Sequence, residues 1–194
     1  MLASVIAVVL WNCNSASPTV SVAPQDTGPA HSFVVVSTGQ NKYYNDIGRE
    51  IPLPRKGEPF YGQDAQYVSI PMQYKDNGDG TVTDLNTGLM WQKTDDGQQR
   101  NWADAKQYCG DLVLGGYDDW RLPRIDELET IVDYSRVDPA IDPLFTCESN
   151  AYWTSSHFAG NPAYVWYVIC GNGYANWNSM STVNAVRCVR GVPW

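Results

Sequence analysis

Residues 116–126 read GYDDWRLPRID, and the interpretation of this stretch decides both the fold and the class of protein. Two acids, Asp118 and Asp119, precede Trp120 and Arg121, and a proline follows two residues later. One hypothesis makes the acids a catalytic carboxylate pair. The other makes the stretch a structural brace, in which Trp120 fills the core and one of the acids holds Arg121. Because an unpaired arginine is very costly to bury, the brace requires such a carboxylate.

The spacing of the two acids favours the brace. Neighbouring residues of an extended segment point to opposite sides, so Asp118 and Asp119 are poorly placed to act on one bond. The carboxylates of glycosidases flank the substrate several ångströms apart, usually from different elements of the fold. We therefore interpret residues 118–121 as structural, and we predict that the protein is not an enzyme.

The segments before this stretch predict a hairpin and a helix. Residues 72–93 alternate short β-prone runs with two turns rich in Asn, Asp and Gly, which is typical of a hairpin or meander. Residues 101–112 carry apolar side chains three or four positions apart, so they predict an amphipathic helix. Asn101 is its expected N-cap, and Cys109 lies on the face that packs against the core.

The segments after the stretch predict a second helix and several strands. The helix is expected to start after Leu122, with Pro123 in its first turn. Its acids are expected to be solvated and to favour the positive end of the helix; they are Asp126, Glu127 and Glu129. Residues 151–190 contain short aromatic or β-branched runs separated by Gly or Asn, which indicate strands. Both faces of residues 163–170 are apolar, so this strand is predicted to be central in its sheet, and the chain is predicted to be α+β.

The charge balance excludes several classes of partner. The formal net charge of the chain is −8. Phosphate binding needs a basic stripe, so this acidity argues against nucleic acid as a partner. It argues equally against an anionic membrane surface and against sulfated or phosphorylated ligands.

The N-terminal sequence predicts export. Residues 1–17 hold an apolar run that suits a signal peptide and is too short to span a bilayer, and residues 18–36 read as a linker rich in Pro, Ser, Thr and Ala. An irregular lead-in at 37–69 and a domain at 70–194 are expected to follow. We predict that the mature domain is secreted, periplasmic or at the cell surface, without membrane insertion. A lipid anchor through Cys13 is less favoured, because the two residues before it are large or polar.

The remaining cysteines predict disulfide bonds. Setting Cys13 aside leaves an even number in a chain that is predicted to be exported; these cysteines are Cys109, Cys147, Cys170 and Cys188. More than one pairing is possible, and spacing alone does not choose among them. The cysteines are widely spaced and the two His are far apart in the sequence, so we predict no metal site and no cofactor.

Several sequence blocks, taken in order, resemble one family. The blocks are GDGTVTDLNTGLMWQK (78–93), NWADAKQYC (101–109), GGYDDWRLPRIDELETIVD (115–133), YWTSS (152–156) and VRCVRG (186–191). Together they resemble the Lcl C-terminal domain family, which occurs in exported bacterial proteins and is of largely unknown function. The resemblance implies a C-type-lectin-like fold, with two helices packed on small antiparallel β-sheets and with the first and last strands adjacent.

The same resemblance implies a disulfide pattern. Cys109 would pair with Cys188 and tie the first helix to the last strand, and Cys147 would pair with Cys170 and pin a loop to a central strand. Each bond is expected to contribute about 3 to 5 kcal/mol by restricting the unfolded chain. The chain departs from the family pattern at Arg124, where a Thr or Ser that can cap the second helix is usual.

Candidates for ligand binding crowd residues 150–184, which are rich in aromatic residues and Asn. Aromatic faces stack on sugar rings, and amides donate to and accept from hydroxyls without any charge. Tyr152, Trp153 and Trp166 are expected in the core. The predicted ligand-binding residues lie on loops and edges, and they are His157, Phe158, Asn161, Tyr174, Asn176, Trp177 and Asn178. This pattern predicts a non-catalytic surface module that binds a neutral glycan or a protein.

Three other functions remain open on the sequence. A calcium-dependent lectin is disfavoured, because Asn161-Pro162 and Trp177-Asn178 lack the acids that calcium requires. A display scaffold diversified by a retroelement would suit the C-terminal segment, which is rich in Asn, Tyr and Ser. A near-copy of that segment beside a reverse transcriptase gene would identify such a scaffold. A hydrolase would need an acid pair that converges in a pocket.

Overall fold

The computed structural model describes residues 37–67, 70–147 and 151–192. Within these ranges the chain forms two α-helices and three small antiparallel sheets, which confirms the predicted α+β class. The predicted signal peptide at 1–17 and linker at 18–36 lie outside the described residues. In the described part of the chain, no helix is long and apolar enough to cross a bilayer.

Short strands dominate the described residues. In chain order the elements are β1 (Tyr43–Tyr44), β2 (Glu50–Ile51), a turn of 3₁₀ helix (Asp64–Gln66), β3 (Tyr74–Asp76), β4 (Thr81–Asp84), β5 (Met90–Gln92), α1 (Trp102–Asp111), α2 (Ile125–Glu129), β6 (Ala151–His157), β7 (Tyr164–Ile169), β8 (Ala175–Ser179) and β9 (Val189–Arg190). Strands β1 and β2 pair as a hairpin within the lead-in. The other strands build a four-stranded and a three-stranded sheet.

The four-stranded sheet has the order β3-β4-β5-β9. Its first three strands form the predicted meander through the two turns rich in Asn, Asp and Gly. Each turn is closed by an aspartate that accepts a backbone N–H two residues on: Asp76 Oδ1 accepts from Gly78 at 3.0 Å, and Asp84 Oδ1 accepts from Asn86 at 2.9 Å. The expected adjacency of the first and last strands is wrong, because β9 pairs with β5 and leaves β3 at the far edge.

The three-stranded sheet has the order β6-β7-β8, so β7 is central, as its two apolar faces predicted. Successive side chains of a strand point to opposite faces. Val165 accordingly packs in a core cluster that contains Ala105 of α1, and Val168 packs in a second cluster that contains Leu128 of α2. The sheet therefore separates the two helices and has core on both faces.

Helix α1 forms as predicted. Asn101 is the N-cap residue, and its Oδ1 accepts the backbone N–H of Asp104 at 3.0 Å. Such a cap satisfies a backbone donor that has no partner within the helix. Ala105 and Cys109 have no exposed surface, which confirms that this face of the helix packs against the core.

Both predicted disulfide bonds are present. Cys109 of α1 is bonded to Cys188, the residue before β9, so the first helix is tied to the end of the domain. Cys147 is bonded to Cys170, the residue after β7, so the loop that follows α2 is fastened to the three-stranded sheet.

Helix α2 differs from its prediction in two respects. It begins at Ile125, with Arg124 as N-cap residue, so Pro123 precedes the helix. Arg124 forms no side-chain cap, as the departure from the family pattern implied. The acids of the helix are not all solvated, because Glu127 has no exposed surface. The helix is only five residues long and packs on β6 and β7, so one side of its single turn is buried.

Candidate functional site

Arg121 in the 118–121 segment is held by an ion pair, but its partner differs from the prediction. Arg121 is held by Glu127 and not by Asp118 or Asp119: Nη1 donates to Oε2 at 2.7 Å, and Nη2 donates to Oε1 at 2.8 Å. The backbone of Arg121 also exchanges two hydrogen bonds of 2.9 Å with Val189 of β9. The reason is burial, because the carboxylate of Glu127 is fully enclosed and needs a cation beside it.

The two neighbouring acids have separate surroundings. Asp119 accepts two hydrogen bonds from Arg190, at 2.6 Å from Nε and 3.1 Å from Nη2. This hydrogen bond and the charge of the guanidinium lower the pKa of Asp119. Asp118 is exposed. Trp120 is 3% exposed, and its indole N–H donates to two backbone carbonyls of the preceding loop, so it fills the core as the brace hypothesis required.

The sequence gives no sign that Arg187 is buried. Arg187 is 1% exposed, and its guanidinium donates to the carbonyl oxygens of Gln92 (2.6 Å), Lys93 (2.7 Å) and Thr146 (2.6 Å). Burial lowers the pKa of this group. The only signal in the sequence is that Arg187 is flanked by apolar residues in AVRCV, which does not identify the partners of its guanidinium.

Three aromatic side chains form a partly exposed cluster on the three-stranded sheet, here called the aromatic patch (Phe158, Trp166 and Trp177). The rings of Phe158 and Trp177 are stacked, with centroids 4.4 Å apart and planes 3° from parallel. Trp166 meets both rings edge-on, with centroids 5.9 Å from Phe158 and 5.3 Å from Trp177. Trp177 is 43% exposed, so the part of its ring that Phe158 and Trp166 do not cover is open to a ligand.

Strand register explains why these rings meet. Trp166 of β7 lies directly opposite Trp177 of β8. Hydrogen bonds at Met180–Ala163 and Ile169–Tyr174 on either side place this pair in a non-hydrogen-bonded position, where the side chains are closest. The expectation that Trp166 belongs to the core is wrong. It points away from the buried Val165 and is partly exposed.

The loop between β6 and β7 holds the third ring. The backbone N–H of Phe158 donates to the carbonyl of Tyr164 at 2.9 Å, and the N–H of Asn161 donates back to the carbonyl of Phe158 at 3.1 Å. A Cβ added at Gly160 would lie 2.6 Å from the Phe158 ring. Glycine at this position therefore leaves the space in which the ring lies against its own loop.

Two of the predicted ligand residues lie along the outer edge of β8. Asn176 is opposite Tyr167 and Asn178 is opposite Val165, so both alternate with Trp177 along the strand. Each uses its side-chain oxygen locally: Asn176 Oδ1 accepts the N–H of Trp177 at 2.8 Å, and Asn178 Oδ1 accepts the N–H of Ser179 at 2.9 Å. Because successive side chains of a strand point to opposite faces, these two residues belong to the face opposite Trp177 and the aromatic patch.

The remaining predicted residues are spread more widely. His157 is exposed and packs edge-on against Trp102, with ring centroids 5.0 Å apart. Asn161 is in the β6–β7 loop and Tyr174 is in the β7–β8 turn, at opposite ends of β7. At about 3.3 Å per residue the strand separates them by roughly 20 Å. A ligand at the aromatic patch therefore does not include Tyr174.

A groove of about 400 Å³ opens beside the brace and is lined by cations that include Arg121 and Arg124. Its arginines are already occupied, because Arg121 binds Glu127 and Arg124 binds Asp126. The groove therefore offers few free donors to an anion. Within the ranges that the structure describes, no three His, Cys, Asp or Glu side chains gather to hold a metal ion.

Fold and surface together define a class: a small α+β domain with two disulfide bonds and an aromatic patch on one sheet. The model of the Lcl C-terminal domain family matches residues 80–190, which is more than half of the chain. The chain belongs to this family, as the five sequence blocks indicated. No curated protein sequence matches the chain.

Proposed function

We propose that this domain is a non-catalytic binding module that recognises a neutral glycan through the aromatic patch. The observation that carries the proposal is the stacked pair of Phe158 and the exposed Trp177 on the three-stranded sheet. Aromatic rings stack favourably on the C–H faces of sugars, and their contribution grows when they are held rigidly.

The surroundings of the patch support an uncharged ligand. Tyr164 and Ser179 lie opposite each other on the same face of the sheet as Trp166 and Trp177, and their hydroxyls can donate and accept hydrogen bonds. The patch and these two neighbours carry no charge. A neutral ligand also agrees with the net charge of −8, which disfavours polyanions.

The brace and the disulfides support recognition by a preformed surface. The bond between Cys147 and Cys170 fastens the end of β7, and the N–H and hydroxyl of Ser155 in β6 donate to the carbonyl of Pro123 at 2.7 and 3.2 Å. Disulfides of this kind are typical of oxidising compartments. We accordingly place the domain outside the cytoplasm, either secreted, periplasmic or on the cell surface.

The experiment is an array of neutral and anionic glycans, run with and without chelator, followed by titration of the best neutral ligand. Trp177→Ala should weaken its binding at least about tenfold, which corresponds to about 1.4 kcal/mol. Tyr174→Ala is the matched control, because Tyr174 is 55% exposed at the other end of β7, and its binding should be unchanged. Unfolding by urea should show that both variants are folded.

Two results would contradict the proposal. Equal losses in the two variants would move the site away from the aromatic patch. Binding of no neutral glycan would favour a protein ligand instead, since exposed Trp residues and other aromatic rings also anchor protein interfaces.

A further inference from the structure

The last residue of β6, His157, stands directly before Phe158 of the aromatic patch but on the other face of the sheet. His157 lies opposite Val165 in the strand register, and Val165 packs in the core cluster that contains Ala105 of α1. Neighbouring residues of a strand point to opposite faces. The side chain of His157 therefore belongs to the α1 face, and that of Phe158 to the face of the patch.

On the α1 face, His157 closes the loop that joins β6 to β7. Its Nδ1 lies 2.9 Å from the carbonyl oxygen of Pro162. A carbonyl oxygen only accepts hydrogen bonds, so Nδ1 carries the proton and donates it. The bond connects the strand residue before the loop with a residue near the far end of the loop.

The imidazole that supplies this donor is itself held against the core. It packs edge-on against Trp102 of α1, with ring centroids 5.0 Å apart. The indole N–H of Trp102 donates to the carbonyl of Thr154 at 2.9 Å. Helix α1 is in turn tied to the end of the domain by the bond between Cys109 and Cys188. The Nδ1–H group is thus presented to the loop from a fixed part of the fold.

On the face of the patch, the position of the loop decides the position of the Phe158 ring. The ring touches its own loop at Gly160, where an added Cβ would lie 2.6 Å from it. It also stacks on Trp177 of β8, with centroids 4.4 Å apart. A gap of about 1 Å between two surfaces already forfeits up to about half of their attraction. A small shift of the loop relative to β8 would therefore weaken the stack.

We propose that His157 is the positioning residue of the aromatic patch: its Nδ1–H, bound to the Pro162 carbonyl, holds the loop where Phe158 stacks on Trp177. This inference rests on the proposed function and adds a residue that controls the affinity of the same site. His157 touches no ligand at the patch, because its side chain lies on the opposite face of the sheet. Its task thus differs from the ligand contact that the sequence predicted.

Two variants of nearly equal size isolate the donor. His157→Asn can place an amide N–H near the position of Nδ1, whereas His157→Asp offers only oxygen acceptors there. Both variants lose the ring contact with Trp102, so a difference between them reports the hydrogen bond. Asn172→Asp controls for the added charge, because Oδ1 of Asn172 accepts the N–H of Tyr174 at 3.0 Å in the turn at the far end of β7.

The first readout is the stack itself and needs no ligand. The ring of Phe158 shifts the NMR resonances of the Trp177 indole, and Phe158→Leu gives their positions without the stack. His157→Asp should move these resonances at least about halfway to the Phe158→Leu positions, while His157→Asn and Asn172→Asp should leave them near wild type. A loss of stability alone would lower the urea midpoint and leave the resonances of the folded protein in place.

The second readout is affinity for cellotetraose, xylotetraose and mannotetraose, measured by titration calorimetry. For the tetrasaccharide that wild type binds most tightly, His157→Asp should weaken binding about fivefold, as expected for one lost hydrogen bond. His157→Asn and Asn172→Asp should stay within about twofold of wild type.

The outcomes separate this inference from the proposed function. Equal Trp177 resonances in the Asn and Asp variants of His157 would overturn the positioning role, and so would a displaced stack with unchanged affinity. If the wild type binds no tetrasaccharide and the array also finds no neutral glycan, the proposed function fails. The resonances of Trp177 then decide by themselves whether His157 holds Phe158 in place.

Discussion

The carboxylate of Glu127 and the guanidinium of Arg121 form two parallel hydrogen bonds of 2.7 and 2.8 Å, although the two residues are separated by the start of α2. Glu127 is fully buried, and it also accepts the backbone N–H of Arg124 at 2.7 Å. One acid therefore closes the helix N-terminus and neutralises the arginine of the DWRLP segment. The position of Arg121 therefore depends on Glu127 more than on Asp118 or Asp119.

The first prediction concerns this ion pair. Glu127→Ala should lower the free energy of unfolding by about 3 to 5 kcal/mol, because it leaves a partly buried cation and a backbone N–H without their partner. Asp118→Ala should change it by less than about 0.5 kcal/mol, since Asp118 is exposed. Urea unfolding of both variants provides the measurement. Comparable losses in the two variants would show that the brace had been assigned to the wrong acid.

The sequence predicted the elements whose determinants are local. The cap at Asn101 and the apolar stripe through Cys109 lie within one helix, and the aspartates at 76 and 84 close their own turns. Glu127 was misjudged because an acid in the first turn of a helix already has a local explanation in the helix dipole. Its burial is set by contact of α2 with the sheet, which no local pattern records.

The candidate site was predictable in composition and not in arrangement. Phe158 and Trp177 were named from the aromatic run, but the stack between them requires the register that places Trp166 opposite Trp177. The sequence predicts Trp166 in the core, because an apolar strand does not show which part of each sheet face is covered by other elements of the fold. The sequence predicts Tyr174 in the same site as Phe158 because the two residues are near in sequence. In the structure, β7 lies between them and places them at opposite ends of the strand.

The second prediction concerns Arg187. Arg187→Met should cost about 3 to 5 kcal/mol, because three carbonyl oxygens lose the donor that the buried guanidinium supplies while the volume stays similar. Lys75→Met is the control, since Lys75 is exposed and forms no ion pair among the described residues. Its stability should remain within about 0.5 kcal/mol of wild type. Unfolding by urea, monitored by tryptophan fluorescence, compares the two, and a near-neutral Arg187→Met would contradict the structural role.

The third prediction ranks the two disulfides. The bond between Cys109 and Cys188 spans 79 residues and the bond between Cys147 and Cys170 spans 23. Loop-closure entropy then gives about 4.5 and about 3.5 kcal/mol, respectively. Replacing each pair by alanine should therefore cost more for the longer loop, by about 1 kcal/mol, in denaturant unfolding at fixed pH. Peptide mapping should first confirm the pairing, and a reversed ranking would show that lost packing outweighs chain entropy.

The fourth prediction concerns acid stability at Asp119. Its hydrogen bond to Arg190 lowers the pKa in the folded state, whereas the unfolded value is about 3.9. The unfolded chain thus binds a proton more readily, so the stabilisation is fully present above about pH 5 and is lost as pH falls through the folded-state pKa. Other paired acids, such as Asp76 with Lys93, add the same trend.

Urea midpoints between about pH 2 and pH 6 test this linkage. Asp119→Asn should give a shallower loss of stability below about pH 4 than wild type, because one of the groups that takes up a proton on unfolding has been removed. Arg190→Gln should flatten the same part of the curve, and the double variant should add nothing further, since either change removes the pair. If Asp119→Asn keeps the wild-type slope, the pair does not couple folding to protonation, and acid sensitivity comes from the other ion pairs alone.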